Sequence, residues 1–203
     1  MKIHEYQAKE LFKKAGIPII DGQVASTLDE ARQIVARIGF PVVVKAQVLT
    51  GGRGKAGGIK IAKDLKELEE VFPKVKDLII KGYTVDRVLI VRAMDIKKEF
   101  YAAVTIDYGR NDVVLIASSA GGMDIEETAK TNPEKIQKFY LEGKKEFDPA
   151  RWPDFIKAVF SDPSLQAPGT KIFKDLLAVF YQYDCTLAEI NPLILDPAGH
   201  WYA

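Results

Sequence analysis

The chain has 203 residues, with 29 Lys and Arg against 28 Asp and Glu. That length suits one large or two small domains with a real core, and the near-neutral charge argues against nucleic acid or an anionic membrane as an obligatory partner. One cysteine, Cys185, excludes an intrachain disulfide and fits a reducing compartment. No apolar run reaches the ~18 residues of a membrane span, and the first residues lack a signal-peptide pattern, so a cytoplasmic protein is expected.

In chain order, residues 4–15 predict an amphipathic helix stopped by Gly16 and Pro18. Thr27-x-x-Glu30 is a capping box that opens a second helix, running through Ile38 to a stop at Gly39. A β-branched run, Val42-Val43-Val44, ends on Lys45, and a loop rich in glycine and cations follows to Gly58. Alternating Ile59-Lys60-Ile61-Ala62 then predicts a return strand. Asp64 caps a third helix that Pro73 is expected to kink or shorten. Strands are expected near 86–93, 99–107 and 113–117, with a turn at Gly109-Arg110-Asn111. Helical patterns cover 124–141, 151–160 and 168–182, the last with Ile172, Phe173, Leu176, Leu177 and Phe180 on one face. A final strand near 186–195 carries Glu189 and Asn191, and Asp196-Pro197-Ala198-Gly199 is a turn leading into a return strand at His200. A chain that stops there reads as a fragment cut inside a hairpin. The mixed order of strands and helices predicts an α+β fold.

The loop after Lys45 is the feature with chemistry in it. Glycines let backbone N–H groups approach a polyanion closely, successive N–H groups form an anion-binding concavity, and Arg53 and Lys55 add field. A Walker A loop is excluded, because Ala56 follows Lys55 and Leu49 holds the place of the first glycine. Gly52-x-Gly54-x-x-Gly57 matches the dinucleotide fingerprint, but that motif must open a helix and here a strand follows. A kinase glycine loop fits better locally, yet the chain has no His-Arg-Asp and no Asp-Phe-Gly. What remains is a flap between two strands that closes over a nucleotide triphosphate, or a solvated hairpin tip.

Three segments together resemble the β subunits of succinyl-CoA synthetases: His4-Glu5-Tyr6-Gln7-Ala8-Lys9, Gly52-Arg53-Gly54-Lys55-Ala56-Gly57-Gly58 and Glu189-Ile190-Asn191-Pro192-Leu193. The resemblance runs through the whole chain. It implies an ATP-grasp fold with two subdomains around a nucleotide cleft: a lid at 21–104 and a core at 1–20 plus 105–203. The family's second, CoA-ligase domain would then be absent. The resemblance further implies that Lys45, Gly52, Arg53 and Gly54 meet the phosphates of ATP or GTP. Glu99 would accept from ribose hydroxyls, and the hinge with Arg92 and Met94 would hold the base through its backbone. Asn191 would be a Mg2+ ligand, and Glu189 would stand beside a phosphohistidine presented by an α subunit that also carries the coenzyme A site.

Two departures stand out. The hinge reads Val91-Arg92-Ala93-Met94 where relatives usually carry a glutamate, and a second acidic magnesium ligand lies beyond the point where this chain stops. His4 and His200 lie in no phosphoacceptor motif, so the phosphorylated histidine is expected in trans. Malate–CoA ligase and ATP-citrate lyase subunits share these motifs, and a non-catalytic nucleotide-binding or subunit-interaction module is a third reading.

Overall fold

The computed structural model describes residues 1–122 and 125–203, and the chain forms two compact units. Unit 1 comprises Met1–Glu10 and Ile20–Asp95, and unit 2 comprises Leu11–Ile19 and Ile96–Ala203. The opening helix α1 (Glu5–Lys14) contributes to both.

Unit 1 is built on a four-stranded antiparallel sheet. Its strands are β1 (Gly22–Ala25), β2 (Val42–Ala46), β3 (Ile59–Ala62) and β6 (Val88–Arg92), in the order β1-β6-β2-β3. The helices α2 (Leu28–Ile38) and α3 (Leu65–Lys76) and the short hairpin β4 (Ile79–Ile80) and β5 (Tyr83–Thr84) complete it. Val88 to Val91 are buried in succession, the signature of a central strand covered on both faces. The α2 stripe Ala31, Ile34, Val35 and the α3 stripe Leu68, Phe72, Val75 pack into one cluster with Val42, Val44 and Ile90.

Both N-terminal signals act as read. Thr27 Oγ1 accepts from the Glu30 N–H at 3.2 Å while the Glu30 carboxylate accepts from the Thr27 N–H at 3.2 Å, and Asp64 accepts from the Glu67 N–H at 2.8 Å. Pro73, however, does not end α3. The helix continues to Lys76, because burial of Val75 holds the last turn in register and the Asp77 N–H donates to the Pro73 carbonyl at 3.0 Å. β1 and the β4–β5 hairpin were not anticipated. The hairpin turns on Lys81 and Gly82, both at positive φ, the geometry that two-residue hairpins demand.

Unit 2 holds a five-stranded antiparallel sheet made of β7 (Lys98–Asp107), β8 (Asp112–Ser118), β9 (Ile136–Tyr140), β10 (Leu187–Leu195) and β11 (Trp201–Tyr202). Their order is β11-β10-β7-β8-β9. β7 runs unbroken across residue 104, where the sequence reading places the edge of the lid. The helices are α4 (Ile125–Thr131), α5 (Trp152–Val159) and α6 (Pro163–Gln182).

The single helix expected over 124–141 is corrected here; its first residue, Asp124, lies outside the described residues. α4 stops at Thr131, a 3-10 turn spans Pro133–Lys135, and Ile136–Tyr140 pairs with β8 from Ser118↔Ile136 to Val114↔Tyr140. The physical reason is legible afterwards: Asn132 precedes a proline and so avoids helical backbone. The segment beyond it is rich in β-branched and aromatic side chains, and it buries Phe139 against the core. The expected start of the last helix is also moved. Asp162 caps it by accepting from the Ser164 N–H at 2.9 Å, Pro163 sits in its first turn, and Pro168 lies in its interior. Among the described residues, no helix is long and apolar enough to cross a membrane.

Candidate functional site

β2 delivers Lys45 to the mouth of the glycine loop, paired to Leu89 on one side and Ile59 on the other. The loop is ordered by its own backbone. The Ala56 N–H donates to Gly52 at 3.1 Å, Gly57 to Gly54 at 3.0 Å, Gly58 to Arg53 at 2.8 Å, and Ala46 to Gly58 at 2.7 Å. Geometry requires glycine at several points of the loop, Gly57 with φ +77° among them. Gly52 has φ +81°, and a Cβ on Gly58 would stand 2.8 Å from Ile80, 3.0 Å from the Ala46 Cβ and 3.1 Å from the Arg53 carbonyl. This closed turn places the Arg53 side chain against the end of β2, where Nη1 donates to the Ala46 carbonyl at 3.1 Å.

Lys45 and Arg53 meet on one carboxylate. Glu5, in the first turn of α1, accepts from Lys45 Nζ at 3.1 Å and from Arg53 Nη1 at 2.6 Å. Gln47, 1% exposed, ties the same helix to the strand end. Its amide nitrogen donates to the Ala46 carbonyl at 3.2 Å and its oxygen accepts from the Tyr6 N–H at 3.2 Å.

Lys9, one helical turn after Glu5, is 8% exposed and belongs to the same electrostatic cluster. Burial works to raise the Glu5 pKa, yet Lys45, Arg53 and Lys9 together bring it down to about 2. Burial, reinforced by repulsion from Lys45, lowers the Lys9 pKa to about 8 even though Glu5 opposes the shift. Three cations therefore crowd one carboxylate, and the surplus positive charge is suited to an anionic ligand. Glu5, Lys9 and Gln47 received no role from sequence reasoning. The available signal was the i, i+4 spacing of Glu5 and Lys9, which puts both on one helix face.

The remaining predicted residues lie as follows. Gly54 is inside the closed turn of unit 1. Arg92 ends β6, exposed, beside a depression lined by Asp21, Gln23 and Arg37, and Met94 is half-buried just beyond, after the Ala93 N–H donates to Pro41 at 2.9 Å. In unit 2, Glu99 sits near the start of β7 under a tight turn. The Gly121 N–H donates to its carbonyl at 3.1 Å, and a Cβ on Gly122 would collide with its carboxylate. Glu189 and Asn191 are both exposed while Ala188 and Ile190 between and beside them are buried, so the two share a face of β10. The ladder with β7 shifts register between Ile190 and Leu193, an irregularity that falls at Asn191 and Pro192. Among the described residues, no group of three His, Cys, Asp or Glu side chains converges as a metal site.

The structure thus has a glycine loop closed between two antiparallel strands, with cations at its base. The chain belongs to the ATP-grasp domain family, whose model matches residues 2–195. It is 42% identical over 202 residues to the succinate–CoA ligase [GDP-forming] subunit beta of Thermus thermophilus, a match covering 98% of this chain and 52% of that protein. It is 44% identical over 202 residues to the [ADP-forming] subunit beta of Chloroflexus aurantiacus, covering 98% and 53%. The chain thus spans about half the length of the curated relatives it matches. Among solved structures, a protein from Pyrococcus horikoshii Ot3 superposes with a TM-score of 0.75 at 19% identity, over 98% of this chain and 84% of that one, a likeness of fold.

Proposed function

We propose that this chain is the nucleotide-binding part of the β subunit of an NDP-forming succinate–CoA ligase, working in the cytoplasm in complex with an α subunit. The observation that carries the reading is the pair Lys45 and Arg53, brought from a strand end and a glycine loop onto one spot with positive charge in excess. The similarity to ligase β subunits through 98% of the chain supports it.

In this reading Lys45 and Arg53 donate N–H bonds to the phosphates of ATP or GTP and neutralise charge that develops on the transferring group. The loop backbone at Gly52, Arg53 and Gly54 covers the phosphates and excludes water. Glu99 accepts from the ribose, and the backbone at Arg92 to Met94 holds the base. Asn191 offers an amide oxygen on the same exposed face as the Glu189 carboxylate, hard donors of the kind Mg2+ takes alongside phosphate oxygens and water. When bound, the ion would add charge neutralisation at the phosphates. Glu189 orients a partner imidazole and stabilises its cationic form.

The γ-phosphorus leaves its bridging oxygen as a P–N bond forms on that imidazole, which the partner supplies. The chain's own histidines are engaged elsewhere: the His4 ring stacks with Tyr6 at 5.8 Å, and His200 Nδ1 lies 3.2 Å from Asp196. Calorimetric titration of Mg-ATP and Mg-GTP tests the proposal. Lys45→Ala is expected to weaken binding by about 1.5–3 kcal/mol, the loss of one charged hydrogen bond. Equal affinity in the two proteins would remove Lys45 from the site.

A further inference from the structure

Glu5 has no part in nucleotide contact as described above, yet it is the carboxylate on which both phosphate-site cations converge. Its position is set by three elements at once. The α1 start is tied through Tyr6 to Gln47, Lys45 comes from β2, and Arg53 comes from the closed glycine turn. Glu5 takes one N–H from each: one of the three on the Lys45 ammonium and one on Arg53 Nη1, whose other proton faces the Ala46 carbonyl. Among the described residues, two N–H groups on Lys45, and those on Nε and Nη2 of Arg53, are left over for a further acceptor. The carboxylate also screens two cations that would otherwise repel each other at short range.

We propose that Glu5 is a positioning residue for the phosphate site, latching the glycine-loop Arg53 and the strand-borne Lys45 into one preset pair whose remaining donors receive the nucleotide's phosphates. The assignment rests on the nucleotide-binding reading of the same site. It makes α1, outside the loop and the sheet, a determinant of phosphate affinity.

Glu5→Gln keeps the shape and removes the charge. Two measurements on the full 203-residue chain test it. The first is calorimetric titration with ATP and with inorganic tripolyphosphate, where Glu5→Gln is expected to weaken both by about tenfold, the size typical when an orienting partner behind a ligand is removed. The second needs no nucleotide: mass spectrometry of limited trypsin digests, following the Arg53–Gly54 bond. Release of Arg53 should speed that cleavage about as much, in excess of any change at other Lys and Arg bonds of the chain, a local pattern that a merely structural residue would not produce. Should Glu5→Gln fail to fold, Glu5→Asp keeps the charge but falls a methylene short of the second cation, and the same acceleration is expected.

Wild-type protein that binds neither ATP nor tripolyphosphate would sink the nucleotide reading and this one with it. Wild-type binding that Glu5→Gln leaves equal or tightens, with cleavage unchanged, overturns the latch alone, and tighter binding would make Glu5 a competitor of the phosphate.

Discussion

The two units bury different kinds of side chain. Unit 2 is held by aromatic rings in contact: Phe147 on Trp152 at 4.0 Å between centroids, Phe100 on Phe160 at 5.0 Å, Phe160 on Phe173 at 5.6 Å and on Trp201 at 5.5 Å. The half-buried Trp152 indole is satisfied, its Nε1 donating to Thr170 Oγ1 at 3.1 Å. Unit 1 packs mainly Val, Ile, Ala and Leu, and beside that cluster it buries Gln47 and Lys9 and gathers Lys45, Arg53 and Glu5. Aromatic burial is non-directional and adds stability roughly in proportion to area. Crowding three cations onto one carboxylate disfavours the fold, and such an arrangement persists where a ligand makes use of it. The difference teaches where to look: aromatic packing is concentrated in unit 2, and the crowded buried charge in unit 1.

The strongest way to break unit 2 is Phe173→Ala. Phe173 is wholly buried and faces Phe160, Phe155 and Trp152, so the change should cost about 3–5 kcal/mol in urea unfolding. Both tryptophans, Trp152 and Trp201, lie in unit 2, so their fluorescence reports that unit directly. A midpoint unmoved in urea would contradict the aromatic core as the main source of unit 2 stability.

A smaller effect is expected in unit 1 from Gly58→Ala. The added methyl meets the Ala46 Cβ and the Arg53 carbonyl, neither of which can move without opening the loop, and overpacking of this kind costs about 1–3 kcal/mol. Amide hydrogen exchange should show loss of protection at Ala46, Gly57 and Gly58 with the β7–β10 ladder of unit 2 unchanged. Equal loss in both units would contradict the contrast.

Effects of pH sharpen the contrast because both groups that carry them belong to unit 1. Glu5 titrates at about 2 in the folded chain against an ordinary 4.5, so its contribution is fully present above 4.5 and fades as pH falls toward 2. Lys9 behaves in the opposite sense. At about 8 in the fold against 10.5, it loses its proton first in the folded chain, so stability rises with pH between those values. Comparing wild type with Lys9→Met isolates this: the wild type should gain on the variant between pH 8 and 10.5, measured by denaturant midpoints. A difference flat across that window would remove Lys9 from the buried cluster.

The sequence by itself determined the features whose causes are local. The Thr27–Glu30 box and the Asp64 cap act within one helical turn. The strand–glycine loop–strand run from Val42 to Ala62 carries its own periodicity and turn chemistry, and Glu189 and Asn191 share a face through simple alternation. The motif blocks pointed to the ATP-grasp family, which the family match bears out. Tertiary structure decided what local signals leave degenerate. Ile136–Tyr140 reads as helix on periodicity, and only pairing with β8 and burial of Phe139 makes it a strand. Pro73 reads as a kink or early stop, and packing of the turn beyond it keeps α3 whole, while the helix expected from 168 starts at Pro163 behind the Asp162 cap. The Glu5 latch was invisible for the same reason. Its partners lie 40 and 48 residues away, and no short-range propensity can show which distant cations a helix carboxylate will meet once the chain has closed on itself.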